Sequence, residues 1–237
     1  MSAVDLGGVD SPFRLLHRDA RLVVIRKPPG WAVHRSDQAR SGPFVLPALR
    51  DALGTAVFPV HRLDRPTAGA LVLALDTDAQ RALSAAFAER RVAKTYQAVV
   101  RGWPVAQVVD RPLRPLGGGD LQAAETAVHV LAVSEQPWPV GRFPSARFAR
   151  LRCEPATGRW HQIRRHLAGI GHPIIGDVRH GDRHHNHLVE ARLDLHRLGL
   201  WACELVLPHP DDGRPLRVTC PADRGLHRLL AGLGLGV

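Results

Sequence analysis

The chain has 237 residues, of which 45% are hydrophobic and 23% charged, a composition typical of a folded protein and unlike that of a disordered one. It contains no apolar run near the roughly 18 residues that a membrane-spanning helix needs. Its amino terminus lacks the basic region followed by an apolar stretch that marks a secretory signal. We therefore expect a cytoplasmic protein without a membrane partner. Its three cysteines lie far apart and form no CxxC pair, which argues against disulfides and a thiolate zinc site.

The charge of the chain points to a polyanionic partner. Basic residues outnumber acidic ones by 32 to 22, which gives a net charge of +10. Such an excess favours nucleic acid, because each phosphate that a protein neutralises releases condensed counterions. Only two of the basic residues are lysines, Lys27 and Lys94, so each is a candidate for a role that an arginine cannot fill.

The predicted elements are mostly short strands. The first part of the chain predicts strands at 14–16 and 22–25, a helix at 46–53, strands at 57–60 and 70–75, and a helix from 77 or 78 to about 88. The next part predicts a strand at 94–100, an irregular loop at 103–120, and strands at 126–133 and 146–153. A predicted helix opens at 157 and ends near 169 or 171, and a charged loop follows at 177–186. The last predicted elements are strands at 198–207 and 216–219 and a helix at about 224–230. Many strands, few helices and no regular βαβ alternation predict an α+β protein with a large, mostly antiparallel sheet. We expect one domain over residues 1–237, since no repeat or clear linker divides the chain.

The segment HRLDRPTAG, at 61–69, is the most informative stretch. It places Asp64 between two arginines in a loop that joins two apolar strands. Pro66 pushes Arg65 toward an extended conformation, which excludes an amphipathic helix. An aspartate between arginines has a lowered proton affinity and stays anionic in a cleft. From these residues alone, a charged surface turn is the alternative interpretation.

This segment resembles the HRLDxxTSG motif of pseudouridine synthases of the RluA family. Four further segments resemble the family's other motifs, in the expected order. They are VIRKPPGWAVH at 24–34, AKTYQAVVRG at 93–102, TGRWHQIRRHLAGIGHPIIGD at 157–177, and LDLH at 193–196 with His-Pro at 209–210. Together they span about residues 14–220. The resemblance implies the pseudouridine synthase fold, an α+β fold whose large, mixed, mostly antiparallel sheet carries flanking helices and loops around a central cleft.

The resemblance also implies catalytic roles for matching positions. Asp64 corresponds to the catalytic aspartate, which acts at the target nucleoside. Tyr96 corresponds to the tyrosine that packs on the flipped uracil and is implicated in proton abstraction from carbon 5. Arg164 corresponds to the basic residue that pairs with the aspartate. From the residues alone, Tyr96 could equally be a core residue and Arg164 an exposed helix arginine.

Six further positions are candidates for substrate binding. Arg62 corresponds to an arginine that enters the base stack where the uridine has left, and Ile163 to an aliphatic residue that lines the base pocket. The other candidates are Lys27, His61, Lys94 and Arg65. Ala68 replaces the serine of the family motif, from which we expect a modest loss of rigidity and no loss of chemistry.

The reaction accounts for these residue types and requires no cofactor. Pseudouridine formation detaches uracil from its sugar, turns it, and rejoins it through carbon 5, so the base must first leave the stack. A carboxylate near the sugar can act as nucleophile or as base, and the residues leave both pathways open. No electrons or phosphoryl groups move, so we expect neither a cofactor nor a metal. A group of four histidines could suggest a metal site: His180, His184, His185 and His187. No cysteine or paired acid completes such a site, and we expect an RNA-facing loop instead.

The predicted substrate is tRNA. Several details resemble the branch of the family that modifies uridine 65 in the T stem of tRNA, among them GWxxHRS at 30–36, Arg65-Pro66, and His-Gly-Asp at 180–182. The first family strand begins near Arg14, from which we expect no appended amino-terminal RNA-binding module, and we expect a monomer. The alternatives are a ribosomal RNA pseudouridine synthase and a non-catalytic RNA-binding protein of the same fold. A nucleoside hydrolase or glycosidase normally needs two cooperating carboxylates, whereas the motifs supply one.

Overall fold

The computed structural model describes residues 12–35 and 40–236, and within these ranges the chain forms ten strands and five helices. In chain order they are β1 (Arg14–Arg18), β2 (Leu22–Lys27), α1 (Val45–Leu53), β3 (Phe58–Pro59), β4 (Ala68–Ala74), α2 (Thr77–Ala88), β5 (Ala93–Arg101), β6 (Gln107–Asp110), β7 (Glu125–Gln136), β8 (Ala146–Pro155), α3 (Gln162–Gly169), α4 (Arg183–Leu193), β9 (Leu200–Pro208), β10 (Pro215–Thr219) and α5 (Arg224–Gly232). Two predictions fall outside the described residues. One is the absence of a signal segment, which concerns the first eleven residues, and the other is Ser36 of the GWxxHRS segment.

The chain divides into two compact units. Unit 1 comprises Met1–Lys94 and Ala202–Pro221, and unit 2 comprises Thr95–Trp201 and Ala222–Val237. Each unit therefore contains two separate stretches of the chain. The prediction of one domain over residues 1–237 stays a prediction.

Unit 1 is built around β4, all seven residues of which are buried. β2 pairs antiparallel with β4 and with β1, β3 adds to β4, and β10 pairs antiparallel with residues 204–208 of β9. A strand covered on both faces has a continuous apolar run rather than an alternating one. α2 packs on this core through Leu83 and Phe87, as their spacing predicts.

Unit 2 contains an antiparallel arrangement in the order β5, β8, β7, β6. Its core joins residues of β5 and β8 to α3, which contributes Ile163 and Leu167. Antiparallel pairing predominates in both units, so the predicted α+β class with mostly antiparallel strands is confirmed. None of the helices within the described ranges has the length and apolar character needed to cross a membrane.

The charged loop predicted at 177–186 is wrong in its second half, where α4 begins. Asp182 caps this helix, because its carboxylate accepts the backbone N–H of His185 at 2.9 Å. Only His185 and Val189 are buried on α4. The helix therefore lacks the apolar periodicity that sequence patterns rely on.

Two further boundaries differ from the prediction. The proline-rich stretch 103–120 contains β6, a four-residue strand on which only Val109 is buried, too short and exposed to leave a pattern. α3 begins at Gln162 rather than at Thr157, because the Gln162 side chain bonds back to Thr157 Oγ1 and to the Arg159 amide, holding 157–161 as a loop.

Candidate active site

Asp64 lies in the loop that joins β3 to β4 in unit 1. Its carbonyl accepts the N–H of Thr67 at 3.0 Å, which closes a tight turn over residues 64–67. Gly69, the second residue of β4, has a φ of +120°, and an added Cβ there would collide with the backbone of Ala202. Ala68, at the family's serine position, is buried in β4. The turn at 64–67 and the close approach of Gly69 to Ala202 fix the path of the backbone that carries Asp64. The Asp64 side chain itself is half-buried.

Lys27 is fully buried beneath this loop. Its Nζ donates hydrogen bonds to three carbonyl oxygens, those of Trp31 at 2.8 Å, Pro28 at 3.0 Å and Arg65 at 3.2 Å. Burial lowers the pKa of Lys27 to about 7, an effect that Asp64 opposes and Arg65 reinforces. These contacts tie the 28–31 loop to the Asp64 loop, and the role of Lys27 in substrate binding stays a prediction.

Arg65 also bonds to the main chain of neighbouring loops. Its Nε donates to the carbonyl of Gly30 and its Nη2 to the carbonyl of Ser41, both at 2.9 Å. Arg62, three residues earlier in the loop, is exposed. Of these two arginines, Arg62 is therefore the one presented to solvent.

His61 supports the start of the loop. Its Nε2 accepts the N–H of Val72 at 3.1 Å, and its ring stacks on Phe87 at a centroid distance of 4.5 Å. Burial, assisted by the charge of Lys94, lowers the pKa of His61 to about 3, so the ring is neutral and Nδ1 carries its proton. Burial and the neighbouring Arg90 also lower the pKa of Lys94. Contacts of His61 and Lys94 with substrate stay predictions.

Unit 2 brings Tyr96 and Ile163 to one apolar cluster. Tyr96 lies on β5, half-buried opposite Cys153 of β8, and Ile163 lies on α3 with 6% of its surface exposed. Both pack against the same core of unit 2.

Arg164 and Asp177 form a buried, bidentate ion pair in unit 2. Arg164 donates from Nε to Asp177 Oδ2 at 2.7 Å and from Nη2 to Oδ1 at 2.9 Å. Burial raises the pKa of Asp177, but the bonds from Arg164 and from the backbone N–H groups of His180 and Arg179 outweigh it and hold that pKa below its usual value. Arg164 is therefore a buried, oriented residue and not an exposed helix arginine.

A polar network holds α3 in place behind this pair. The Gln162 amide donates to Thr126 Oγ1 at 3.0 Å and to the Glu125 carbonyl at 2.8 Å. His166 Nε2 lies 3.0 Å from the carbonyl of Arg111, which can only accept, so Nε2 carries the proton and Nδ1 accepts from the Thr126 hydroxyl. Burial lowers the pKa of His166, in agreement with this neutral form.

An aromatic and cationic cluster lies at the start of α3. Trp160 stacks on His161 at a centroid distance of 3.9 Å, and the Arg179 guanidinium lies 4.7 Å from the Trp160 ring centroid. His161 bonds to His180 at 2.9 Å. Arg179 is exposed, so this cluster presents a positive charge on a planar group to solvent, a surface suited to phosphates and bases.

The four histidines considered as a metal site are separated in the structure. His180 lies in the turn before α4, His185 is buried against Asp182, and His184 and His187 are exposed on the helix. Across the part of the chain that the structure describes, no three His, Cys, Asp or Glu side chains are grouped as metal ligands. The expected RNA-facing loop is helical from residue 183.

Comparison with known proteins identifies the family. Residues 21–169 match the family described as RNA pseudouridylate synthase. The chain belongs to this family. It is 42% identical over 214 residues, 85% of the chain, to tRNA pseudouridine synthase C of Pectobacterium carotovorum, a match that spans 57% of that protein's length. It is 40% identical over 233 residues to the Vibrio cholerae protein of the same name, covering 93% of this chain and 95% of that one. Among solved structures, human RNA Pseudouridylate Synthase Domain Containing 4 is 29% identical, with a TM-score of 0.74 and 94% of each chain covered.

The RluA-family resemblance predicted from the motifs is thus confirmed, and with it the reaction class, an isomerisation of uridine in RNA to pseudouridine. The matched residues 21–169 contain every predicted site residue, from Lys27 to Arg164. Asp177 lies just beyond them and was missed by sequence reasoning. Its signal was present in the GD that ends the motif at 157–177, because a buried arginine needs an acidic or carbonyl partner.

Proposed function

We propose that this RNA pseudouridylate synthase acts on tRNA and that its target is uridine 65 in the T stem. The observation that carries the proposal is the 40% identity, over 93% of the chain, with a bacterial protein named tRNA pseudouridine synthase C. The net charge of +10 supports a nucleic-acid substrate. We further expect a cytoplasmic monomer that uses no cofactor.

In this proposal the carboxylate of Asp64 acts at the sugar of the extruded uridine, as nucleophile or as base. The bond from C1′ to N1 of uracil breaks, and a bond from C1′ to C5 forms. C5 loses one proton and N1 gains one, so the reaction balances without a co-reactant. The turn that closes at Thr67 and the bonds of Lys27 beneath it support this role, since a reacting group must be held within a fraction of an ångström of its target.

The extruded base must be held while it turns. Removing a base from the stack costs a few kcal/mol, which a fitted apolar site and a stacking partner offset. We assign Tyr96 and Ile163 to contact with uracil, and their packing on one apolar cluster supports this. We assign Arg164 the role of a basic catalytic residue, and its bidentate bonds to Asp177 support a fixed guanidinium plane. Arg62, which is exposed, is assigned to the vacated place in the stack.

Tritium release from RNA labelled at carbon 5 of uridine tests the proposal, because the C5 proton is lost in every turnover. We expect release from whole tRNA and none above background from the same tRNA with cytidine at position 65. Asp64→Asn removes the anionic oxygen and should lower the rate by about 10³-fold or more. Asp78→Asn, an exposed carboxylate on α2, is the matched control and should keep the parental rate.

Three outcomes would contradict the proposal in different ways. Release from large ribosomal RNA alone would reject the tRNA substrate. Free uracil in place of pseudouridine would indicate a glycosidase. An Asp64→Asn enzyme that modifies tRNA at the parental rate would reject the assignment of Asp64.

A further inference from the structure

We infer that Arg65 is a positioning residue, which fixes the backbone beside Asp64 by bonding to two parts of the connection between β2 and α1, and does not bind RNA phosphate. The inference rests on the proposed function, because it takes Asp64 as the catalytic residue. We call the interaction of Arg65 with the main chain of Gly30, Ser41 and Gly42 the Arg65 clasp.

The hydrogen bonds of the clasp run in both directions. Arg65 Nε donates to the Gly30 carbonyl at 2.9 Å, and the Gly30 N–H donates back to the Arg65 carbonyl at 2.9 Å. Arg65 Nη2 donates to the Ser41 carbonyl at 2.9 Å. Two of the three guanidinium nitrogens are therefore bonded to main-chain oxygens in two separate parts of the connection between β2 and α1, a fork geometry that an arginine can supply and a lysine cannot.

Gly42 supplies an independent observation of the same interaction. Its φ is +93°, and a Cβ added there would collide with Arg65 Nη2 and lie 3.1 Å from Cζ. A carbon that close cannot coexist with the guanidinium in this place. The backbone at Gly42 therefore approaches Arg65 as closely as it does only because the residue has no side chain.

The two parts of this connection are also bonded to each other. The Ala32 N–H donates to the Pro43 carbonyl at 3.2 Å, and the Val45 N–H donates to the Ala32 carbonyl at 2.9 Å. The clasp thus joins the 64–67 turn to both parts of the connection that leads into α1. Since Arg65 follows Asp64 directly, any shift of the Arg65 backbone moves the catalytic carboxylate.

Arg65→Lys separates the two roles. A lysine keeps the charge and can still bind a phosphate, but it cannot reproduce the two directed bonds from Nε and Nη2. We expect kcat for tRNA to fall by about 10- to 100-fold, the effect of a displacement near 1 Å. KM and the salt dependence of RNA binding should stay within about twofold of the parent, since every phosphate that the parent binds is still bound. Arg81→Lys, an exposed arginine on α2 of the same unit, is the matched control and should change neither.

Hydrogen exchange gives a readout of the clasp that does not depend on catalysis. The amides of Gly30, Ala32 and Val45 are bonded within or beside the clasp, and we expect their exchange to accelerate in Arg65→Lys. Amides of β4 should be unaffected, because the core of unit 1 is not changed.

Gly42→Ala disrupts the clasp without changing Arg65, because the added Cβ would occupy the place of Arg65 Nη2. It should reproduce the fall in kcat, and the double variant should be no more than about twofold slower than either single one, because both changes remove the same interaction. Gly54→Ala is the control, since Gly54 also has a positive φ, +65°, but its added Cβ would meet nothing within 4 Å. Should Arg65→Lys fail to fold, the comparison of Gly42→Ala with Gly54→Ala decides.

An unchanged kcat in Arg65→Lys would overturn the inference, with or without a raised KM, as would full activity of Gly42→Ala. These results leave the proposed function intact. An Asp64→Asn enzyme that keeps the parental rate would instead reject the assignment of Asp64 in the proposed function, while the exchange data would still report on the clasp.

Discussion

The two candidate regions of the molecule hold their functional side chains by different means. In unit 1, the cations Lys27 and Arg65 donate to main-chain carbonyls, so they fix the path of the loop that carries Asp64. In unit 2, Arg164 makes bidentate bonds to the carboxylate of Asp177, which fixes the plane of its guanidinium. The first arrangement positions a backbone and the second positions a guanidinium.

The difference also predicts opposite responses to pH. Burial disfavours the charged form of Lys27, and carbonyl oxygens carry no full negative charge to compensate. The pKa of Lys27 therefore falls to about 7, although the nearby Asp64 raises it. The pKa of Asp177 falls below its usual value because Arg164 and two backbone N–H groups outweigh burial. The Lys27 support is therefore sensitive near neutral pH, whereas the Arg164–Asp177 pair is sensitive only in acid.

The largest expected effect is that of Asp177→Asn, which breaks the pair in unit 2. It removes the carboxylate that makes the bidentate bonds to the buried Arg164 and should lower the free energy of unfolding by about 3–5 kcal/mol. Urea unfolding at pH 7 measures it. Asp78→Asn, an exposed ion-pair partner, should cost less than about 1 kcal/mol. A change of that small size for Asp177→Asn would mean that the pair does not stabilise the unit.

Lys27→Met tests the support in unit 1 through its pH dependence. The pKa of Lys27 is about 7 when folded and 10.5 as the ordinary value, so between these pH values the unfolded chain binds a proton that the folded chain does not. Raising the pH through this window therefore stabilises the parent relative to Lys27→Met, by up to about 1.4 kcal/mol per pH unit. Unfolding free energies at pH 7, 8 and 9 measure the difference. Parallel curves for the two proteins would show that Lys27 does not titrate there.

The smallest expected effect compares one exposed arginine of each unit, Arg62 of unit 1 and Arg179 of unit 2. Replacing either by alanine should weaken tRNA binding and lower the slope of log affinity against log salt by about 1 for each phosphate that the arginine neutralises. Arg62→Ala should also lower turnover at saturating tRNA, because Arg62 is assigned to the vacated stack, whereas Arg179→Ala should not. Filter binding at several salt concentrations, with single-turnover rates, distinguishes them. Equal turnover for both variants would contradict the role of Arg62.

The class of fold, most elements and the family follow from residue types and their pattern along the chain. Continuous apolar runs such as β4, and the spacing of Leu83 and Phe87, predict elements because burial of apolar surface is set by residue type and period. The motifs likewise identified Asp64, Tyr96 and Arg164 as candidates, since reaction chemistry requires particular functional groups. α4 escaped prediction because its helix is stabilised by the Asp182 cap and few buried residues, not by an apolar stripe.

The groups that hold these candidates in place could not be predicted from residue types and patterns. Arg164 bonds to Asp177, 13 residues away, and Lys27 bonds to the carbonyl of Arg65, 38 residues away. A buried charge must find a partner, but its residue type does not say which, because every backbone carbonyl is an equivalent acceptor until the path of the chain is fixed. The closeness of Gly42 to Arg65 has the same origin. Composition and pattern therefore fix what is buried and what can react, whereas hydrogen-bond partners follow from the folded path alone.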